Sequence, residues 1–267
     1  MVSVQELYEL WAADSELEAE LSPSLEPRGT DWLFELFASL GPKQGQLVVD
    51  VGARDARHAI RLVHEHGLRA IAVDPVQRHV ELAREAVATA GLESEVEVVE
   101  GAIEALPLGD ASADWIWCRD VLVHVDVDRG LKECARVLAA GGVMVAYVTL
   151  ATELLEPGEA ALLQRAAALV PASLQSQSVE SAAKAAGLAL VRVDRLQGEW
   201  RERMIEDGSW DAGDALLRLS RLRRQEQALV EAHGPSTVDA YLGGQLWGIY
   251  QLLGKLCPTV YVWRRDG

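Results

Sequence analysis

The stretch "VVDVGARDARHAI", residues 48–60, joins an apolar run to a helical pattern through a turn holding Asp50, Gly52, Ala53 and Arg54. A strand–turn–helix junction of this kind can present backbone amides and a strand-end carboxylate to a nucleotide-shaped ligand. Glycines usually let the backbone come close there. This loop keeps Gly52 alone and continues with Ala53, Arg54, Asp55 and Ala56. Three more polar groupings close apolar runs farther on: Asp74 after "LRAIAV", "GAIEALPL" after "EVEVVE", and Arg119, Asp120 and His124 in "CRDVLVHV". A histidine titrates near neutral pH, so His124 has the chemistry of a general base. The preferred reading of His124 is nonetheless structural.

These groups need a scaffold that brings strand ends together. "QLVVDVG", "LRAIAVD", "EVEVVEG", "ADWIWCRD" and "VMVAYVTL" are near-continuous apolar runs, as expected of strands buried on both faces. Helical patterns separate them. "ARHAIRLVHEHG" ends at Gly67. "PVQRHVELAREAVATAG" takes Asp74 as its cap and Pro75 as its first residue, with Val76, Val80, Ala83 and Val87 as its stripe. "DRGLKECARVLAAGG" places Leu131, Ala135 and Leu138 on one face. Strict alternation predicts an α/β fold, a doubly wound Rossmann-like sheet that is mostly parallel, with ligands at the carboxyl ends of its strands.

Two helical patterns precede the alternation: "VQELYELWA" and "DWLFELFASLG", the latter with Asp31 as its expected cap. After Leu150 the rhythm breaks. Residues 153–187 and 198–256 read as helical, "LALVRVDRL" as a strand, and "TVYVWRR" as an antiparallel C-terminal edge strand. The predicted organisation is an N-terminal helical lid (1–41), a ligand-binding core (42–150), and helical insertions with the last two strands (151–267).

The chain has 267 residues and a net charge of −16, with a pI near 4.8. It carries no basic footprint for nucleic acid. The cluster Arg218, Arg221, Arg223 and Arg224 reads as a solvated helix face. The N-terminus is acidic, unlike a signal or transit peptide. The longest apolar stretch, Gly142 to Thr152, is too short to cross a bilayer. Cys118, Cys134 and Cys257 form neither a disulfide framework nor a zinc pattern. A cytoplasmic protein without metal, membrane or nucleic-acid partner is expected; its oligomeric state is left open.

The ordered set resembles the class I S-adenosylmethionine-dependent methyltransferases, small-molecule branch, continuously over about residues 45–150. The resemblance makes Asp50-Val51-Gly52 the acid-x-Gly motif of the cofactor loop and Asp74 the ligand of the ribose hydroxyls. "GAIEALPL" becomes the adenine segment, with Ala102 and Ile103 in contact. It implies S-adenosylmethionine as cofactor and a small organic molecule as methyl acceptor. The family usually has glycine at the positions of Arg54 and Ala56. Either the loop takes another path here, or Arg54 turns outward and tolerates strain.

Tyr8 and Trp11 lie in "YELWA", which resembles an aromatic lid over the cofactor. Arg119 and Asp120 orient the cofactor's amino-acid end or the substrate, or form an ion pair over a helix terminus. Glu199, Trp200 and Glu202 can face the acceptor, with Glu199 the second candidate catalytic group beside His124. His58, His64, His66 and His79 read as solvated. Trp200, Trp210, Tyr241, Trp247 and Tyr250 gather in the later helical segment, which suggests an apolar acceptor pocket. The expected function is methyl transfer to a small, largely apolar acceptor, with bacterial secondary metabolism as the expected setting. The alternative is a methyltransferase-like scaffold that binds the cofactor without transferring methyl, or acts as a pericyclase. A nicotinamide-dependent dehydrogenase would want the G-x-G-x-x-G fingerprint, which the loop lacks.

Overall fold

The computed structural model describes residues 2–13 and 15–267. Three helices come first: α1 (Val4–Ala12), α2 (Ser15–Leu21) and α3 (Thr30–Ser39). Alternation follows through β1 (Leu47–Val51), α4 (Arg57–His66), β2 (Arg69–Asp74), α5 (Gln77–Ala90), β3 (Val96–Glu100), β4 (Ala113–Arg119), α6 (Val127–Val137) and β5 (Leu138–Ala151). The chain then runs through α7 (Pro157–Ala167), α8 (Ser176–Ala185), β6 (Leu188–Arg195), α9 (Glu199–Glu206), α10 (Ala212–His233), α11 (Pro235–Leu252) and β7 (Leu256–Arg265).

The strands form one seven-stranded sheet in the order β3-β2-β1-β4-β5-β7-β6. The pairs β1–β2, β1–β4, β2–β3 and β4–β5 are parallel, and β7 is antiparallel to both neighbours. This is the expected Rossmann-like architecture, with one difference in the position of β7. The terminal strand inserts between β5 and β6, so β6 forms the edge. The burial patterns show why: every residue of β7 from Leu256 to Trp263 is buried, whereas β6 is exposed along most of its length.

Some element boundaries also shift. Leu138 opens β5 instead of extending α6. Gly29, not Asp31, is the N-cap of α3. Helix α5 starts at Gln77 with Val76 as N-cap, so Pro75 lies outside it.

Two apolar layers cover the sheet. Helices α3 and α4 press Phe34, Phe37 and Leu62 onto Val48, Trp115 and Trp117. On the other face, Leu131 and Cys134 of α6, with Val179 of α8 and Leu246 of α11, pack on Ile116, Met144 and Tyr261. Period-two alternation along β4 sends Trp115 and Trp117 to one layer and Ile116 and Cys118 to the other. Arg119 is therefore carried to the α3–α4 side at the strand's carboxyl end. Helix α1 buries none of its residues. No helix among the described residues is long and apolar enough to cross a membrane.

Candidate active site

The quoted loop keeps the glycine-type path. Gly52 has φ +72°, Arg54 +54° and Ala56 +56°. Left-handed angles cost an L-residue about 1–2 kcal/mol. Arg54 accepts that strain with its side chain exposed, the second of the two routes open to it. Neighbouring contacts hold the path: the Gly52 and Ala53 amides donate to Val73 O at 2.8 and 3.1 Å. At Gly52 itself a Cβ would stand 2.3 Å from Val121 Cγ2.

Asp50 and Asp74 converge beneath this loop. Asp50 is 2% exposed and accepts from the Ala59 amide at 3.1 Å. Burial pushes its pKa up to about 7; the Ala59 hydrogen bond opposes the rise and the charge of Asp74 adds to it. Asp74 is also buried. Its Oδ2 accepts from the Arg54 amide at 2.9 Å, and its Oδ1 from the Val76 amide at 3.0 Å. His79 Nδ1 lies 3.0 Å from the same Oδ1. His79 is thus tied to the carboxylate, not free in solvent as expected. Its i+5 offset from Asp74 across a helix start carried no sequence signal. Pro75 is exposed beside this site.

The segment after β3 is braced from α6. Glu133 accepts from the Leu106 amide at 3.0 Å, while Arg136 donates to the carbonyls of Leu106 and Leu108 at 3.1 and 2.8 Å. Neither residue was singled out in the sequence. Ala102 is half-buried. The Ile103 side chain is buried, and it packs against Gly130, where a Cβ would meet it at 3.5 Å. Any contact from Ile103 to a ligand therefore runs through its backbone. Its amide donates to no other described residue.

At the end of β4 the arrangement departs from expectation. His58 is half-buried against Phe34 and Trp117, which stack on each other at 4.8 Å, with their ring centroids 5.7 and 5.8 Å from its own. It is not solvated: burial, then the nearby Arg119 charge, depresses its pKa to about 3. The neutral ring accepts through Nε2 from Arg119 Nη1 at 3.2 Å. The Arg119 guanidinium also stands 5.7 Å from the Tyr147 ring and 5.4 Å from that of Trp200. Asp120 makes no ion pair with Arg119. It takes φ +55° and accepts from Thr149 Oγ1 at 3.0 Å. Desolvation raises its pKa, opposed by the neighbouring Arg119 charge.

A cavity of about 730 Å³ opens here, lined by Trp32, Phe34, His58, Arg119, Trp200 and Met204 among others. Trp200 is 3% exposed, consistent with its reading as a group too large to leave in solvent. His124 ends the short 3-10 turn Leu122–His124 and is exposed. Glu199 is bound by Arg28, whose Nε and Nη2 reach its two oxygens at 2.7 and 2.6 Å. The Arg28 hydrogen bonds hold its carboxyl below the usual range. That makes it a poor base and a clamp between the chain before α3 and α9, a correction to its catalytic reading. Tyr8 and Trp11 pair edge-to-face at 5.3 Å but are 63% and 58% exposed. In this conformation the aromatic pair covers nothing, contrary to a closed lid. Among the described residues no cluster of three or more metal-ligating side chains is present.

Residues 49–146 match the methyltransferase domain family. A sarcosine/dimethylglycine N-methyltransferase of Halorhodospira halochloris is 33% identical over 116 residues, covering 43% of this chain and 41% of that protein. The chain thus spans less than half the length of the curated relatives it matches. A geranyl diphosphate C-methyltransferase from Streptomyces coelicolor A3(2), solved with Mg2+, geranyl diphosphate and S-adenosyl-L-homocysteine, gives a TM-score of 0.66 at 11% identity, over 88% of this chain and 78% of that one. The cyclase SpnF gives 0.66 at 17% identity, over 88% of this chain and 80% of its own. At such identities the solved structures show a shared fold. With the strand-end residues and the sheet order, the match makes residues 49–146 a methyltransferase domain on the class I Rossmann-like fold.

Proposed function

We propose that the chain transfers a methyl group from S-adenosylmethionine to a small, largely apolar organic acceptor. One observation carries this reading: Asp50, the positive-φ loop at Gly52, Asp74 and the Ala102–Ile103 segment meet at the carboxyl ends of β1, β2 and β3, beside the cavity at the end of β4. The residues fit the cofactor. Three of the roughly four acceptor sites of Asp74 are engaged, which fixes its orientation and leaves one for a ribose hydroxyl. Asp50 is a buried acid whose ionised form gains from a nearby cation. The Ile103 amide offers a donor to a purine edge.

When bound, the cofactor supplies an electrophilic methyl group on a sulfonium. The chain's part is to orient and to exclude water. Trp32, Phe34, Trp200 and Met204 form apolar walls for the acceptor. Neither His58, held neutral in its buried site, nor Glu199, held by Arg28, is a poised base. His124 remains the candidate, exposed near Asp120 and outside the cavity's lining. An acceptor that needs no deprotonation suits this arrangement. The same lack of a poised base favours the second reading, a cofactor-bound scaffold for a reaction without methyl transfer.

Incubation with methyl-labelled S-adenosylmethionine and a panel of small amines, phenols and carboxylic acids tests the proposal. Label in an acceptor, with matching S-adenosylhomocysteine, supports transfer. Cofactor binding with no label in any acceptor would favour the scaffold.

A further inference from the structure

Five arginines line the cavity beside four acids, Glu26, Asp31, Glu35 and Asp207, in a chain with a net charge of −16. Arg28, Arg57, Arg61, Arg119 and Arg203 all reach it. Three of them are neutralised. Arg28 pairs with Glu199 at 2.6 Å, Arg57 with Asp55 at 2.5 Å, and Arg61 with Asp31 and Glu65 at 2.7 Å each. Among the described residues, no carboxylate oxygen lies within 4.0 Å of the side-chain nitrogens of Arg119 or Arg203.

Arg119 is the more telling of the two. Its Nη1 is held by a neutral histidine, its Nε is buried without a partner, and its flanks are the rings of Tyr147 and Trp200. Each of these groups orients the guanidinium and none cancels its charge. The adjacent acid, Asp120, is turned to Thr149, so it and Asp50 act on Arg119 only from beyond contact distance. A cation partly removed from water and left without a counterion in contact is costly. A ligand that brings the missing negative charge recovers that cost. Arg203 extends the same polarity to the rim: it is exposed and packs over Gly29, where a Cβ would come within 2.7 Å of its Cγ. Asp207 lines the same rim, exposed, and the Arg203 charge bears on it without an ion-pair contact.

We propose that the cavity takes an acceptor bearing an anionic group, a carboxylate or phosphate, held by Arg119 with Arg203 at the rim, its apolar body against Trp32, Phe34 and Trp200. This rests on the methyltransferase reading, since the cavity is an acceptor site only if the neighbouring loop holds the cofactor. The cofactor's own carboxylate has the same chemistry and is the other possible source of the anion.

Calorimetric titration of the protein saturated with S-adenosylhomocysteine separates these. The probes are phenylacetate, phenyl phosphate and, as neutral match, phenylacetamide. At least one anion is expected to bind about tenfold or more tightly than the amide, the ordinary gain of a charge-assisted contact. Which anion wins identifies carboxylate or phosphate. Arg119→Met should abolish the preference, Arg119→Lys should keep part of it, and Arg203→Gln should shrink it. S-adenosylhomocysteine should still bind each variant, with the larger change in Arg119→Met because the Arg119 charge also bears on Asp50. Equal binding of amide and anions, or no binding of either anion, overturns the proposal alone. Loss of S-adenosylhomocysteine binding in Arg119→Met overturns it in favour of the cofactor's carboxylate. Absence of S-adenosylhomocysteine binding by the unaltered protein overturns both this proposal and the function it rests on. Should Arg119→Met fail to fold, Arg119→Lys and Arg203→Gln still decide the matter: an anion preference unchanged in both overturns it.

Discussion

The amide of Arg54 donates to the carboxylate of Asp74 at 2.9 Å, tying the turn after β1 to the end of β2. The bond exists because Arg54 takes a left-handed angle that its side chain disfavours. Arg54→Gly should therefore stabilise the protein by about 0.5–1 kcal/mol, the relieved strain less the entropy that glycine adds to the unfolded chain. Ala56→Gly should be close to neutral, because Ala56 is fully buried and losing its methyl forfeits about 0.8 kcal/mol. Urea unfolding of both variants checks the contrast.

Gly52→Ala places a methyl 2.3 Å from Val121 Cγ2 at a φ of +72°. A β-branched side chain has little freedom to yield. The variant should lose about 2 kcal/mol or more, from strain and overpacking together. Adding Val121→Ala should relieve the steric part and leave the backbone part. The coupling between the two sites is read from a double-mutant cycle of unfolding free energies.

Asp50 and His58 make opposite contributions to stability against pH. Asp50 rises from 3.8 unfolded to about 7 folded, so the folded chain holds the extra proton in that window and stability falls as pH rises through it. His58 drops from 6.5 to about 3, so there the unfolded chain holds the extra proton and stability rises with pH. Between about pH 4 and 6.5 the two oppose each other. Asp50→Asn should tilt the stability profile upward with pH over that range, and His58→Asn should tilt it downward. Urea midpoints across the range test both signs.

Glu199→Gln should leave the pH dependence of turnover unchanged, because the clamp with Arg28 and not proton transfer is its role. Its cost in stability should be about 1 kcal/mol or less, as for half-exposed ion pairs. A lost limb in the pH–rate profile would return Glu199 to the catalytic set.

Much of this architecture was legible because it is local. The buried runs ending at Asp50, Asp74 and Arg119 are strands in the expected parallel order, and the glycine-poor turn keeps the path its position implies. What was not legible depends on distant partners. Nothing within "TVYVWRR" states that it pairs with both β5 and β6, which makes it interior and leaves β6 at the edge. His58 lies on an amphipathic pattern that suits a solvated face, but Phe34 and Trp117 pack against one side of it. Glu199 meets Arg28 across 171 positions, beyond any motif's reach.

The central claim is that the turn at Gly52 and the carboxylate of Asp74 form a working cofactor site. Titration of the protein with S-adenosylhomocysteine, with NAD as control and Asp74→Ala alongside, tests it most directly. Binding of S-adenosylhomocysteine at about micromolar Kd, no binding of NAD, and a loss of about tenfold or more in Asp74→Ala are expected for a charge-assisted ribose contact. No binding of S-adenosylhomocysteine, or equal binding by the variant, would contradict the account.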